Sequence, residues 1–241
     1  MTSIAIMQPT FSPWVGYFDL IDQADHFVYL DTVEFSKQSW QQRNKIKGAG
    51  GPSWLSLPVT YSKTLKTTIS EATVGNLNHF KKTITTVQHA YSKANYAESN
   101  LMWILDWLAN VKEGQLLSDL NVEFIEVVCN KFKISTPRIL ASKVPHKDNR
   151  HERLIDICLS LNATQYISPP GAFDYMQEDI SHFKQAGIDV VFHQYNHPVY
   201  RQMHGEFASH MSVIDLILNE GEASMSILKE GRMKPKKYDD F

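Results

Sequence analysis

Ile4-Ala5-Ile6-Met7-Gln8-Pro9-Thr10, followed by Tyr17-Phe18-Asp19-Leu20-Ile21 and then by His26-Phe27-Val28-Tyr29-Leu30-Asp31, decides how the rest of the chain is read. The first run is apolar at successive positions and is stopped by Pro9 and Pro13, the pattern of a strand buried on both faces. Pro13 suits the opening of a helix, and Tyr17, Leu20, Ile21 and Ala24 fall at helical spacing after it. Residues 26 to 30 form a second apolar strand. A strand, a helix and a strand within 28 residues make a β-α-β unit, whose short connection joins neighbouring parallel strands.

The rhythm returns near the other end. Strands are expected at 138 to 141, 165 to 167 and 188 to 192, with helices at 149 to 161, 175 to 186 and 211 to 219. Alternation of this kind predicts a Rossmann-like α/β fold, an open and mostly parallel sheet covered on both faces. Between the two halves lies different material. Residues 34 to 52 are polar, aromatic and basic and close on Gly48-Ala49-Gly50-Gly51-Pro52, a loop or hairpin signal, and 53 to 59 alternates as a strand until Pro58. Residues 76 to 132 carry three helical patterns, near 76 to 91, 96 to 112 and 116 to 132, with stripes such as Leu101, Ile104, Leu105 and Leu108. The reading is one α/β domain over residues 1 to 228 with a helical insertion at about 76 to 132. The charged end, 229 to 241, reads as a mobile polar tail.

Composition narrows the function classes. With 241 residues the chain buries a sizeable core, and a formal charge of −2 with a pI near 6.5 lacks the basic footprint of a general nucleic-acid binder. No apolar run reaches the length of a membrane span, and the first residues carry no secretory signal, so a cytoplasmic protein is expected. Cys129 and Cys158 stand alone in apolar helical patterns and read as buried free thiols. Trp103, Trp107 and Phe124 read as core.

In an open parallel sheet, ligands bind outside the carboxyl ends of the strands, where loops diverge and helix N-termini point their N–H groups. The segments after each strand therefore supply the candidates. Gln8 follows the first strand and Asp31 the second; with His193 after the strand at 188 to 192 they are the candidate catalytic residues. Candidate substrate-binding residues are Tyr17, Lys37, Trp40, Arg43, Asn44, Lys143, Ser168, Gly171, Gln194, Tyr200 and Gln202. The stretch from Lys37 to Lys45 combines cations with a stackable indole, and Arg43 offers a planar fork to a phosphate or carboxylate. Gly16 reads either as a packing glycine or as a point of phosphate approach, and no glycine-rich phosphate fingerprint accompanies it. Pro198 breaks any helix that would present His193 and His197 as a ligand pair, so no metal site is expected. Asp215, flanked by apolar residues, needs a partner if buried, and Arg153 or Arg201 is the expected one.

Taken in order, Ile4 to Pro9, Gly16-Tyr17-Phe18 with Leu20-Ile21, Ala24-Asp25 with Phe27-Val28, and Trp40 with Arg43-Asn44 resemble the start of the WbqC-like family. Arg153-Leu154-Ile155, Tyr166-Ile167-Ser168 with Gly171, Gly187 to Val190, Tyr200 with Gln202, Phe207 and Ser212 to Leu216 with Asn219 and Gly221 resemble its later part. The chain departs from the family's usual pattern at Pro9-Thr10-Phe11-Ser12-Pro13 and at Ser168-Pro169-Pro170-Gly171. The resemblance implies a bacterial protein of O-antigen or surface-polysaccharide biosynthesis. A weaker similarity links Gly16 to Ile21 with nucleotidylyl-transferase-like folds, but Tyr17 and Asp19 stand where those enzymes carry a histidine motif, so their mechanism does not transfer.

The function expected on these grounds is that of a transferase or ligase modifying a nucleotide-linked amino sugar, by aminoacylation or acylation. In that reading Arg43 and Lys37 hold a phosphate or carboxylate, Gln8, Asn44 and Gln194 orient polar atoms, and Asp31 holds an amine or acts as base. The alternatives are a nucleotidyl or adenylate-forming enzyme using Mg-ATP and a non-catalytic sugar-nucleotide-binding factor.

Overall fold

The computed structural model describes residues 1–176 and 179–240. It opens with β1 (Ser3–Met7), α1 (Val15–Gln23) and β2 (His26–Tyr29), and continues with a hairpin, β3 (Arg43–Gly48) and β4 (Gly51–Ser56). Two short strands, β5 (Val59–Thr60) and β6 (Thr73–Val74), lead to α2 (Phe80–Tyr91), α3 (Ala97–Ala109) and α4 (Leu117–Lys131). The second half comprises β7 (Arg138–Leu140), α5 (Arg150–Ser160), β8 (Gln165–Ser168), α6 (Phe173–Met176), α7 (Ile180–Gln185) and β9 (Asp189–Phe192). It closes with α8 (Val213–Glu220), α9 (Ser224–Glu230) and β10 (Lys236–Lys237).

Six strands form one sheet in the order β10-β9-β8-β1-β2-β7, parallel throughout except for β10, which runs antiparallel to β9. This is the expected Rossmann-like α/β architecture. The period of two along the central strands sorts their side chains into two cores. Ala5, Phe27, Tyr29, Ile167 and Val191 face a core shared with α1, the 80–131 helices and α8. Ile4, Ile6, Val28, Tyr166, Val190 and Phe192 face a second core completed by Ile157 and Cys158 of α5 and Phe183 of α7. Both cysteines are buried and free, and burial pushes each thiol up to about 12, so they act as small apolar residues.

Several local expectations change. The polar stretch before Gly51 is half of a hairpin separate from the main sheet, and Pro58, which has no N–H to give a ladder, falls in the break between β4 and β5. The helix expected at 175 to 186 is divided into α6 and α7, and its residues 177 and 178, like residue 241 of the expected tail, lie outside the described residues. The rest of that tail is tied down rather than mobile. Lys236 and Lys237 pair with Phe192 and Val191, and Arg232 reaches back to α1, donating from Nε to Asp19 at 2.7 Å and from an Nη to Asp22 at 2.5 Å. Sequence alone hid this because the pairing residues of β10 are lysines and the partners of Arg232 lie more than 200 positions away.

Asp215 is also paired differently from the expectation. Its carboxylate accepts hydrogen bonds from the Tyr91 hydroxyl (2.8 Å), the Tyr200 hydroxyl (2.9 Å) and the Gln202 amide (2.8 Å), not from an arginine. Arg153 instead binds Asp148, and the Arg201 backbone N–H donates to Glu220. Three neutral donors satisfy a carboxylate without the desolvation cost of burying a second charge beside it.

Candidate active site

From β1 the chain moves to β2 and then β7 on one side, and it returns to β8 and β9 on the other, so the order reverses between β1 and β8. Adjacent crossovers leave in opposite directions at such a point and open a crevice beyond the strand ends. A cavity of about 690 Å³ occupies that place, bounded by Ile6 and Met7 at the end of β1, Leu30 after β2, and Tyr166 and Pro169 around the end of β8.

Of the residues singled out from sequence, Gln8, Tyr17, Trp40, Asn44 and Gly171 meet on its wall. Each is fixed by a specific neighbour. Gln8 accepts from the Gln41 side chain at 2.8 Å, which leaves its own amide N–H groups for other work. The Tyr17 hydroxyl donates to the Gln8 carbonyl at 3.1 Å, and burial holds its pKa well above the ordinary tyrosine value, so it stays a protonated phenol. Asn44, buried on β3, donates to the Ser12 carbonyl at 2.8 Å and accepts from the Lys45 N–H. The helical insertion reaches the same loop, because Asn121 of α4 donates to the carbonyls of Pro9 (3.1 Å) and Gln41 (2.9 Å). Ser12 and Ser212 share a 2.6 Å hydroxyl contact, joining the β1–α1 loop to the start of α8.

The remaining candidates lie off the wall. Asp31 is 1% exposed and its carboxylate accepts from the Ser142 N–H at 2.9 Å, the structural use of an acid at a strand end. His193, expected as an acid/base group, is buried with its Nε2 2.7 Å from Asp19, which also binds Arg232 and Gln23. Arg43 faces out of the hairpin with its guanidinium 4.1 Å from the centre of the Trp54 ring, and Lys37 and Lys143 are exposed. Ser168 is buried, Gln194 donates to the carbonyls of Phe192 and His193, and Tyr200 and Gln202 serve Asp215.

Residues that the sequence reading left out of the site take those places. Trp14, the residue just before α1, presents its indole to the cavity and packs edge-on against Tyr195, with ring centres 5.5 Å apart. His210 lines the cavity from the connection between β9 and α8, its ring 5.0 Å from that of Trp14 and 4.9 Å from that of His197. Its backbone is left-handed (φ 59°), a conformation that costs energy in a non-glycine residue and is retained where surroundings fix it. Burial and then the nearby Lys45 ammonium hold its imidazole below the usual histidine range, so the ring is a neutral base at pH 7. Its Nδ1 lies 2.9 Å from Ser209 Oγ. Arg153, on the first turns of α5, is 9% exposed and held by Asp148, and it is the one full positive charge among the described lining residues. No carboxylate stands among them. Trp14 could have been found by its place directly after Pro13; nothing in the spacing of the four clustered histidines distinguishes His210.

Gly16 proves to be a packing glycine. A Cβ there would lie 2.2 to 2.6 Å from the Trp14 ring, so its absence lets the indole fold over the first turn of α1 and face the cavity.

No helix among the described residues is long and apolar enough to cross a membrane. No solved structure matches the chain significantly. A Mycobacterium tuberculosis protein, Rv1507c, described as uncharacterized, is 31% identical over 234 residues, covering 95% of this chain and 98% of its own length. The WbqC-like protein family matches residues 8–227, which takes in four of the sheet's six strands, the insertion and every wall residue from Gln8 to His210. By the extent of that match and by its full-length relative, the chain belongs to the WbqC-like protein family.

Proposed function

We propose that this protein is a transferase of bacterial surface-polysaccharide biosynthesis that acylates or aminoacylates a nucleotide-linked amino sugar in the cavity at the β1–β8 switch point. One observation carries the reading: the described wall combines indole and phenol rings, one guanidinium and a neutral imidazole, with no carboxylate. Rings accept the faces of sugars and bases, and an arginine that keeps a buried Nε–H without a partner, in a wall free of carboxylates, favours an anionic ligand. Arg153 holds a phosphate or carboxylate oxygen by a charge-assisted hydrogen bond. The amide N–H groups of Gln8 orient sugar oxygens.

The chemistry needs a group that removes a proton from an attacking amine near neutral pH. His210 fits, since a base must be unprotonated at the working pH, and burial and then the Lys45 ammonium keep its imidazole neutral there. The amine nitrogen attacks the activated acyl carbon, the N–C bond forms as the bond to the leaving group breaks, and the amine proton passes to Nε2 of His210. Nδ1 faces Ser209, which leaves Nε2 for that role.

The test is a thermal-shift screen of the full chain against nucleotides and nucleotide sugars, then mass spectrometry of each stabilising ligand after incubation with ATP and amino acids. A nucleotide-linked amino sugar that raises the midpoint and gains an acyl or aminoacyl mass is the expected result. With that substrate, H210Q should lose at least 100-fold in kcat with little change in KM. A stabilising ligand of another class, or modification that survives H210Q unchanged, refutes the assignment.

A further inference from the structure

At the edge of the cavity, the β3–β4 hairpin and the turn before it carry two indoles that the fold leaves half exposed. Trp40, at 50% exposure, lines the cavity on one side and meets Trp54, at 44%, on the other, with ring centres 5.6 Å apart and planes tilted by 47°. The pairing register explains the rest of the cluster. Lys45 lies directly opposite Trp54, and Arg43 is two residues from Lys45, so all three stand on one face of the ribbon while Asn44, Ile46 and Leu55 are buried on the other. Arg43 stacks on the Trp54 ring at 4.1 Å, and Lys45 Nζ lies 5.2 Å from its centre. Neither cation has an ion-pair partner among the described residues. Lys45 also ties the platform to the cavity wall: its carbonyl accepts from the Ser212 N–H at 2.7 Å, two residues after the lining residue His210, whose basicity the Lys45 ammonium lowers.

We infer that the Trp40–Trp54 platform with Lys45 is a nucleotide subsite at the cavity mouth, stacking the base on the indoles and placing its phosphates beside Lys45 while the linked sugar enters the cavity. This rests on reading the cavity as a site for a nucleotide-linked sugar. A half-exposed indole offers stacking to a planar ring, unpaired cations beside it select a ring linked to a negatively charged group, and a nucleoside diphosphate has both features in one molecule. Trp54, Lys45 and the cavity then follow one another in the order base, phosphate, sugar.

Isothermal titration of the full chain with UDP, GDP, CDP and dTDP, and with the matching nucleosides, tests the assignment. At least one nucleoside diphosphate should bind and quench tryptophan fluorescence. W54A should weaken it about tenfold, the scale of one base–aromatic stack, while W54F keeps it within threefold. K45A should weaken the diphosphate at least fivefold and leave nucleoside binding unchanged. The surface position of Trp54 keeps the thermal midpoint of W54A at the wild-type value, which separates lost stacking from lost fold. Equal binding and equal quenching by wild type and W54A overturn the subsite and leave the cavity reading intact. Absence of binding by every nucleoside diphosphate to the wild type overturns both.

Discussion

A carboxylate that is 1% exposed, as Asp215 is, has to find its donors within the protein, and the Tyr91, Tyr200 and Gln202 side chains supply them. Burial raises its pKa above the ordinary aspartate value, while the three hydrogen bonds pull the other way. D215A strands two hydroxyls and an amide in the interior and should cost about 3 kcal/mol in urea unfolding; D215N, which keeps one acceptor oxygen, should cost about half as much. The histidines respond to pH instead. Burial holds His197 below the ordinary 6.5, and His210 is lowered by burial and then Lys45. His197 Nδ1 donates to the Pro198 carbonyl, and its buried Nε2 has no partner to accept a proton's charge. Between the two folded values and 6.5 the unfolded chain binds more protons than the folded one, so stability is complete above pH 6.5 and is lost as pH falls through the folded values. Thermal midpoints measured from pH 7.5 down to 5 should fall, and H197Q should flatten that slope. Residue types announced this much. That neither Asp31 nor Asp215 lines the cavity was not legible, because the donors that satisfy each carboxylate are brought to it by the tertiary fold.

At the scale of elements, the β1–α1–β2 unit was readable since its apolar positions follow one period at a time and proline marks the change between them. The three insertion helices were readable for the same reason, and they lie close to their expected limits. The hairpin was half readable. Glycines announced its turn, but the polar residues of β3 concealed that Arg43 is a strand residue, which stacks on Trp54 instead of lining the cavity. Gly16 shows how a single backbone position controls the site through an element. G16A preserves the helix, and alanine even favours it, yet the added methyl must push aside an indole already packed against Tyr195, His197 and His210. The expected result is a midpoint within a few degrees of wild type together with at least tenfold weaker binding of the ligand identified by the thermal-shift screen. An unchanged affinity would show that Trp14 does not shape the occupied cavity.

On the scale of the whole molecule, the sheet is closed at one edge by a segment that sequence patterning assigned to solvent. β10 covers β9, and the residue that leads into it, Arg232, crosses to α1 and grips two carboxylates at once, Asp19 with no exposure and Asp22 with some. Asp19 in turn binds His193 just after β9, so one network joins that end of the sheet, the first helix and the C-terminal segment. A buried carboxylate deprived of its strongest partner keeps its desolvation cost, so R232A should destabilise the protein by about 3 kcal/mol, more than an exposed ion pair would account for. R232K should recover only part of this, since an ammonium cannot reproduce a planar fork that serves Asp19 through Nε and Asp22 through Nη. The segment's detachment is measurable apart from global stability. Under native conditions trypsin should cut R232A in the run from Lys234 to Lys237 before it cuts the wild type, because Arg232 anchors the segment that enters β10, where two residue pairs, the Lys237–Asp189 ion pair and the Tyr238 ring beside Phe192 complete the docking. Cleavage at equal rates in the two proteins would mean that β10 stays docked without Arg232 and that the network serves α1 and β9 alone.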